Sequence, residues 1–143
     1  MKLGLDLHGV ISDLTEVIKF IGESVIKNQG EVHVITGSFE KKALEELEEL
    51  GFEKDKHYTH LFCIGDYLYA SGARIKSINR KFGNLEFDNN EWDRVKGDYC
   101  RKNHIDLHID DSLIYNEYFE TPFARLWTHT QTPKVNKPKR HQE

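Results

Sequence analysis

MKLGLDLHGVISD, residues 1–13, is the stretch from which the rest of this chain is best interpreted. The apolar run Leu3-Gly4-Leu5 ends at a carboxylate, Asp6, and a glycine follows three positions later. An apolar strand that ends on an acidic residue and then a glycine often begins a binding site, because glycine lets the backbone turn tightly around a ligand. The alternative is a strand that simply ends in a turn. The remaining sequence must decide between the two.

The size and composition are those of one globular domain. The 143 residues suffice to bury a core, and 38% of them are hydrophobic and 31% charged. No apolar run reaches the length of a membrane span or of a signal peptide's apolar region, so we expect a cytoplasmic protein without a membrane partner. Cys63 and Cys100 lack metal-ligand spacing, and we expect reduced, buried thiols with a disulfide as the alternative.

The charge is unevenly distributed along the chain. Residues 134–143 carry +3, which leaves −7 for residues 1–133 out of a total of −4. An acidic body argues against broad nucleic-acid binding through phosphate neutralisation. We predict that residues 131–143, with Pro133 and Pro138, form a basic, disordered tail behind a single domain at 1–130.

Strands and helices are predicted to alternate along the domain. The predicted strands are Lys2–Asp6, Glu31–Thr36, His60–Ile64, His104–Ile109 and Phe123–Trp127, and the predicted helices are 14–28, 39–50, 91–103 and 113–119. This alternation predicts an α/β fold, a three-layer sandwich with a mainly parallel, Rossmann-like sheet. Residues 65–91 are expected to form a small hairpin or an irregular insertion.

Local signals suggest helix caps and an exposed face. Ser38 is expected to cap the second helix and Asp13 the first. The glutamates of the second helix are expected to form a solvated face; they are Glu45, Glu46, Glu48 and Glu49.

Three predicted strands end in polar groups. Asp6, Thr36 and Asp110-Asp111 follow apolar runs, and the carboxyl ends of parallel strands share one edge of a sheet, where ligands bind. The Thr36 hydroxyl and the Gly37 amide can hold a phosphate oxygen. Close carboxylates repel each other unless a cation joins them, which favours a hard, oxygen-ligated ion such as Mg²⁺.

The order of these motifs resembles that of the haloacid dehalogenase (HAD) superfamily of phosphatases and phosphotransferases, over about residues 1–130. The first motif there is usually Asp-x-Asp-Gly-Thr/Val, and residues 6–10 read DLHGV. Thr36 matches the Thr or Ser of the second motif, and Asp110-Asp111 match the acidic pair of the fourth. Each motif alone is common, so their order on the predicted elements carries the resemblance.

The resemblance implies a Mg²⁺-dependent phosphohydrolase that acts on a phosphomonoester. Asp6 would be the nucleophile and form an aspartyl-phosphate that water hydrolyses. Mg²⁺ would bind the Asp6 carboxylate, the His8 carbonyl and Asp111, with Asp110 behind them or bound through water.

The third motif of the superfamily requires a lysine that neutralises the phosphoryl group and the nucleophile. Lys96 and Lys102 lie on the same predicted helix and face different directions. Lys96 is nearer the helix start, which points toward the active edge, so we assign it this role. A solvated lysine is the alternative for either.

One residue departs from the superfamily pattern. The usual general acid/base, two positions after the nucleophile, is here His8. A histidine can protonate a leaving group and deprotonate water, because its unperturbed pKa lies near 6.5. Three interpretations stay open: a working His acid/base, a slow phosphatase that retains its phosphoenzyme, and a non-catalytic phosphate- or nucleotide-binding regulatory protein.

The spacing between motifs leaves no room for a large cap domain, and residues 65–91 could form only a small lid. An open site suits a large or extended substrate, such as a nucleic-acid terminus or a phosphoprotein, or depends on a neighbouring copy in a homo-oligomer. Small capless members of the superfamily also include nucleotidases, so a mononucleotide is the alternative. Four basic residues of this segment are candidate phosphate contacts, with an ordinary basic loop as the alternative; they are Arg74, Lys76, Arg80 and Lys81.

Other features receive less functional weight. A phosphorylation-dependent receiver domain also gathers these residue types, but its acidic pair follows the first strand, whereas here the pair comes last. Asp66 is interpreted as a loop residue near the site. His33, His104 and His108 lack ligand spacing and are expected to be packed or exposed.

Overall fold

A computed structural model describes residues 1–79 and 84–128 of the chain. The predictions for Arg80, Lys81 and the tail at 131–143 lie outside the described residues.

Strands and helices alternate as predicted. The strands are β1 (Lys2–Leu5), β2 (Glu31–Thr36), β3 (His60–Cys63), β4 (Ile75–Asn79), β5 (Asn84–Phe87), β6 (Leu107–Asp110) and β7 (Phe123–Arg125). The α-helices are α1 (Thr15–Lys27), α2 (Glu40–Glu49), α3 (Ile64–Ala70) and α4 (Asn89–Lys102), and Leu113–Tyr118 forms a 3₁₀ helix. In this part of the chain, no helix combines the length and the apolar character needed to cross a membrane.

Five strands form one parallel sheet in the order β3-β2-β1-β6-β7. Leu5 of β1 lies opposite Val34 on one side and Ile109 on the other, so the central strands end at nearly the same level. The parallel, Rossmann-like α/β sheet that the sequence predicts is therefore confirmed. Its carboxyl edge collects the residues that follow β1, β2 and β6.

Helices cover both faces of this sheet. Val32 and Val34 of β2 belong to a core with Ile18 of α1 and Leu47 of α2. Ile35, which points the other way, packs with Cys100 of α4. β2 is therefore buried on both faces, as a central strand of a parallel sheet is expected to be.

Residues 65–91 contain both the expected hairpin and a helix that the sequence did not predict. β4 and β5 pair antiparallel, with Phe87 buried against Ile64 and Leu68 of α3. β3 ends at Cys63, one residue before the predicted end of the strand, and α3 begins at Ile64. Ile64 and Leu68 lie on the same side of α3 because they are four residues apart, and their burial stabilises this short helix.

Both predicted helix caps are wrong. The residue before α2 is Phe39, and it is the Asp66 carboxylate that accepts a hydrogen bond from the Glu40 amide at 2.8 Å. Asp66 is thus a residue of the first turn of α3 and not of a loop. The α1 helix begins after Leu14 without a side-chain cap, and Asp13 accepts a hydrogen bond from Ser12 instead.

Both cysteines, Cys63 and Cys100, are free and buried, as the sequence predicts. Burial raises the pKa of both thiols to about 12, so they remain protonated.

Helix α4 lies close against the 3₁₀ helix. Asp88 caps its first turn by accepting hydrogen bonds from the amides of Asn90 and Glu91. At Gly97, a Cβ atom would overlap the backbone carbonyl oxygen of Tyr118. Only glycine permits this approach, which sets the depth at which α4 packs on the domain.

We predict that Gly97→Ala lowers the free energy of unfolding by about 1–3 kcal/mol, because overpacking against backbone outweighs the roughly 1 kcal/mol that alanine gains in a helix. Urea unfolding measures the change. The control is Arg101→Ala on the same helix, which removes only an exposed ion pair with Asp98 and should shift stability by less than about 0.5 kcal/mol. A Gly97→Ala protein as stable as wild type would show that α4 does not pack tightly against the backbone of Tyr118.

Candidate active site

Three carboxylates meet at the carboxyl edge of the sheet. Asp6 follows β1, Asp110 is the last residue of β6, and Asp111 comes next; all three are buried. One oxygen from each lies within 4.8 Å of the others. Residues separated by about a hundred positions thus share one crevice, as the strand ends predict.

Lys96 of α4 reaches into this cluster. Its Nζ lies 2.7 Å from Asp110 Oδ2 and 3.2 Å from Asp6 Oδ1, and only 2% of the side chain is exposed. The ammonium also sits 4.5 Å from the centroid of the Tyr115 ring. Lys102 instead lines a separate cavity with Tyr99, so it is Lys96 that the structure brings to the carboxylates.

The charge of Lys96 depends on its two partners. Burial alone would lower the pKa of this amine, because desolvation disfavours the charged form. The nearby Asp110 and Asp6 carboxylates override that effect and hold the pKa above its ordinary value. Lys96 therefore remains a cation.

Asp110 is fully engaged by donors. Oδ2 accepts hydrogen bonds from Lys96 and from His108 Nε2 at 3.1 Å, and Oδ1 accepts one from the Ser112 amide at 3.1 Å. Burial would raise the pKa of Asp110, but Lys96 and His108 lower it below its ordinary value. Asp110 is the fixed anion of the cluster.

His108 is a site residue that sequence reasoning missed. It is fully buried, and burial lowers its pKa, so the ring is neutral. Because the Asp110 carboxylate can only accept, Nε2 carries the proton, while Nδ1 faces Gly4 and has no hydrogen-bond partner among residues 1–79 and 84–128. The spacing His-x-Asp on one strand was the available signal, since such residues share a face.

The surroundings of Asp6, unlike those of Asp110, oppose its ionisation. Burial raises its pKa well above the ordinary value; Lys96 lowers it, but Asp110 and Asp111 raise it further. With all three carboxylates ionised, one ammonium faces three negative charges. This donor set of oxygens fits a hard divalent cation, which would relieve the repulsion that acts on Asp6.

The turn after β1 passes over Asp111. Gly9 has a positive φ of 85°, and a Cβ there would overlap the Asp111 carboxylate. Glycine is needed at this position for both reasons. Gly9 thus permits the close contact between the turn after β1 and Asp111.

His8 projects toward α2. Its side chain is 54% exposed, and Nε2 donates a hydrogen bond to Glu46 Oε2. The prediction that Glu46 belongs to a solvated face is wrong, because this side chain is 23% exposed and paired with His8. No local pattern separates Glu46 from its neighbouring glutamates, so the pair could not be found from sequence.

Thr36 and Gly37 lie at the end of β2, on the same edge. Thr36 is buried, and its hydroxyl accepts a hydrogen bond from the Ser38 amide at 3.1 Å. The indole of Trp92 packs against Gly37. Within the described part of the chain, Thr36 makes no hydrogen bond to the carboxylates, so the two parts share an edge without bonding directly.

The basic residues at the start of the hairpin line a cavity that none of the three carboxylates lines. Arg74 and Lys76 are exposed and line a cavity of about 260 Å³ with Ile75 and Asp88.

Comparison with known proteins gives no relative. No protein-family model, curated protein or solved structure matches this chain.

We predict that Asp6→Asn stabilises the metal-free protein at neutral pH, because it removes a carboxylate whose pKa is raised by folding. The gain should be absent below about pH 3.8, where Asp6 is protonated in both states, and should grow as pH rises through the folded pKa. Thermal unfolding in EDTA between pH 3.5 and 7.5 measures it.

The control is Asp55→Asn, which changes an exposed carboxylate to the same amide in a conformation that asparagine tolerates. It should leave the unfolding temperature nearly unchanged across this range. An Asp6→Asn protein less stable than wild type at pH 7 would show that Asp6 is not under electrostatic strain.

Proposed function

We propose that this protein is a Mg²⁺-dependent phosphohydrolase of the haloacid dehalogenase type that works through an aspartyl-phosphate on Asp6. The observation that carries the proposal is the buried ammonium of Lys96 between Asp6 and Asp110, beside Asp111. These residues come from the first, third and fourth motifs and meet in one crevice.

The carboxylates divide into two roles in this proposal. Asp110 already accepts three hydrogen bonds, so it serves best to position Lys96. Asp6 and Asp111, with the His8 carbonyl, would hold Mg²⁺. When bound, the ion would supply positive charge that screens the approach of a phosphate dianion to a carboxylate.

The reaction would proceed in two displacements at phosphorus. An Asp6 oxygen forms a bond to phosphorus while the bond to the substrate alcohol breaks, and the leaving oxygen takes a proton. Water then attacks phosphorus, loses a proton, and the Asp6 carboxylate leaves. Throughout, Lys96 offsets negative charge on Asp6 and the phosphoryl oxygens, while the Thr36 hydroxyl and the Gly37 amide would hold one of those oxygens.

His8 and Glu46 are suited to the proton transfers. A carboxylate that accepts from one ring nitrogen orients an imidazole, and the side chain is open to a substrate. We propose that this pair replaces the aspartate that the superfamily usually has at position 8.

The substrate would be a phosphate carried by a nucleotide or a nucleic-acid end. α3 and the β4–β5 hairpin are too small for a large cap in the described chain, which would leave the site open. Arg74 and Lys76 provide exposed cations on the hairpin for further phosphate groups.

We predict Mg²⁺-dependent phosphate release from p-nitrophenyl phosphate and from at least one member of a nucleotide panel. Asp6→Asn should lower kcat by at least about a thousandfold, because the amide cannot form the acyl-phosphate. Asp55→Asn is the matched control. If wild type is as inactive as Asp6→Asn yet binds phosphate or nucleotide, the protein is a phosphate-binding protein and not a hydrolase.

We predict that His8→Ala lowers kcat by about 10²–10⁴-fold, the usual contribution of a general acid/base. Glu46→Gln should cause a smaller loss, and the double variant should lose little more than His8→Ala, because the two side chains act as one unit. Glu45→Gln, an exposed neighbour on the same helix, is the control. A sharp rise in turnover with His8→Asp would show that the histidine is not the working acid/base.

A further inference from the structure

A second cluster lies at the opposite, amino-terminal edge of the sheet. Glu31 is the first residue of β2, His33 follows two positions later, and His60 is the first residue of β3. Residues two apart on a strand share a face, and β3 pairs parallel to β2 with His33 opposite His60. The register of two neighbouring strands therefore places three potential ligands together, away from the carboxylate cluster.

The ligand atoms are close enough to share one ion. Glu31 Oε1 lies 2.8 Å from His33 Nε2 and 4.0 Å from His60 Nδ1, and all three ligand atoms lie within 4.8 Å of one another. These two distances bracket the roughly 3.3 Å that separates ligand atoms around tetrahedral zinc with bonds of about 2.0–2.1 Å. The other Glu31 oxygen, Oε2, approaches Lys2 Nζ at 3.9 Å, so Oε1 is the one turned to the histidines.

His33 is held by a second residue behind it. The ring is 2% exposed, and Nδ1 lies 2.7 Å from the Tyr99 hydroxyl. A partner on the far nitrogen is the usual way in which proteins orient a metal-binding histidine. Burial lowers the pKa of His33, which keeps the imidazole neutral, as ligation requires. Burial also raises the pKa of Tyr99 to about 12, so its hydroxyl stays protonated. The hydroxyl oxygen would accept a hydrogen bond from Nδ1–H when Nε2 binds an ion.

His60 supplies the adjustable ligand. Its side chain is half exposed and stacks on His33, with ring centroids 4.1 Å apart and planes at 4°. A metal lies in the plane of each imidazole that binds it, so His60 must turn out of this stack to ligate. The Nδ1 atom of His60 forms a hydrogen bond with Thr59 Oγ1, and the exposed side of the ring leaves room for the rotation.

We propose that Glu31, His33 and His60 form a binding site for a borderline divalent transition metal such as Zn²⁺, with the fourth position open to water. Two imidazoles and a carboxylate are a ligand set that zinc takes, whereas Mg²⁺ prefers oxygen ligands. The site joins the starts of β2 and β3, so an ion there stabilises the folded chain. The proposal does not rest on the phosphohydrolase activity.

The test is calorimetric titration of the full chain with Zn²⁺ in excess Mg²⁺, which competes for the carboxylate cluster. We expect His60→Ala to lose one equivalent of Zn²⁺ or at least tenfold in affinity, and Glu31→Gln to do the same. His104→Asn is the matched control, because His104 is exposed, lies outside the cluster and has a positive φ that asparagine tolerates. Absence of Zn²⁺ binding, or binding that these two variants leave unchanged, would overturn the proposal.

Tyr99→Phe provides the independent measurement, because it keeps the ring and removes only the hydroxyl behind His33. The expected loss of Zn²⁺ affinity is about 10–100-fold, the usual effect of removing such a partner. The visible absorption spectrum of the Co²⁺ form reports the coordination geometry. A Co²⁺ spectrum that His60→Ala does not alter would place the ion elsewhere.

Discussion

The ion pairs of Lys96 are the interaction on which the candidate site depends. A fully buried ammonium is tolerable only with anions in contact, and Asp110 and Asp6 provide them at 2.7 and 3.2 Å. The contact requires α4 to lie deep against the domain, which Gly97 allows at the 3₁₀ helix. It also requires β1 and β6 to be neighbours, since each delivers one carboxylate. Helix packing and strand order are thus both constrained by one charge.

The same lysine leaves the two aspartates in different states. Lys96 and His108 hold Asp110 as an anion, with its pKa below the ordinary range, and the Ser112 amide donates a further hydrogen bond to it. Asp6 shares the lysine but also faces Asp110 and Asp111, and its pKa is raised. A residue whose environment opposes its charge responds most to an incoming cation. In the proposed mechanism, this contrast is the physical reason for making Asp6 the nucleophile and Asp110 the residue that positions Lys96.

The sequence was informative wherever a feature depends on local order along the chain. Apolar runs predicted the parallel sheet, and the polar residue at the end of each run predicted which side chains would meet. The pairs His8–Glu46, His108–Asp110 and Asp66–Glu40 were missed or misread. The first and third join separate elements through side-chain directions that carry no periodic signal. α3 was missed because seven residues with three buried positions are too short for a helical period to stand out.

The most direct test of the central claim is whether Asp6 and Asp111, beside Lys96, bind a divalent cation. Isothermal titration calorimetry with Mg²⁺ measures this without knowledge of the substrate. One bound Mg²⁺ per chain is expected in wild type and in Asp55→Asn, with binding lost in Asp111→Asn. Wild-type protein that binds no Mg²⁺, or an Asp111→Asn protein that binds it as well as wild type, would contradict the account.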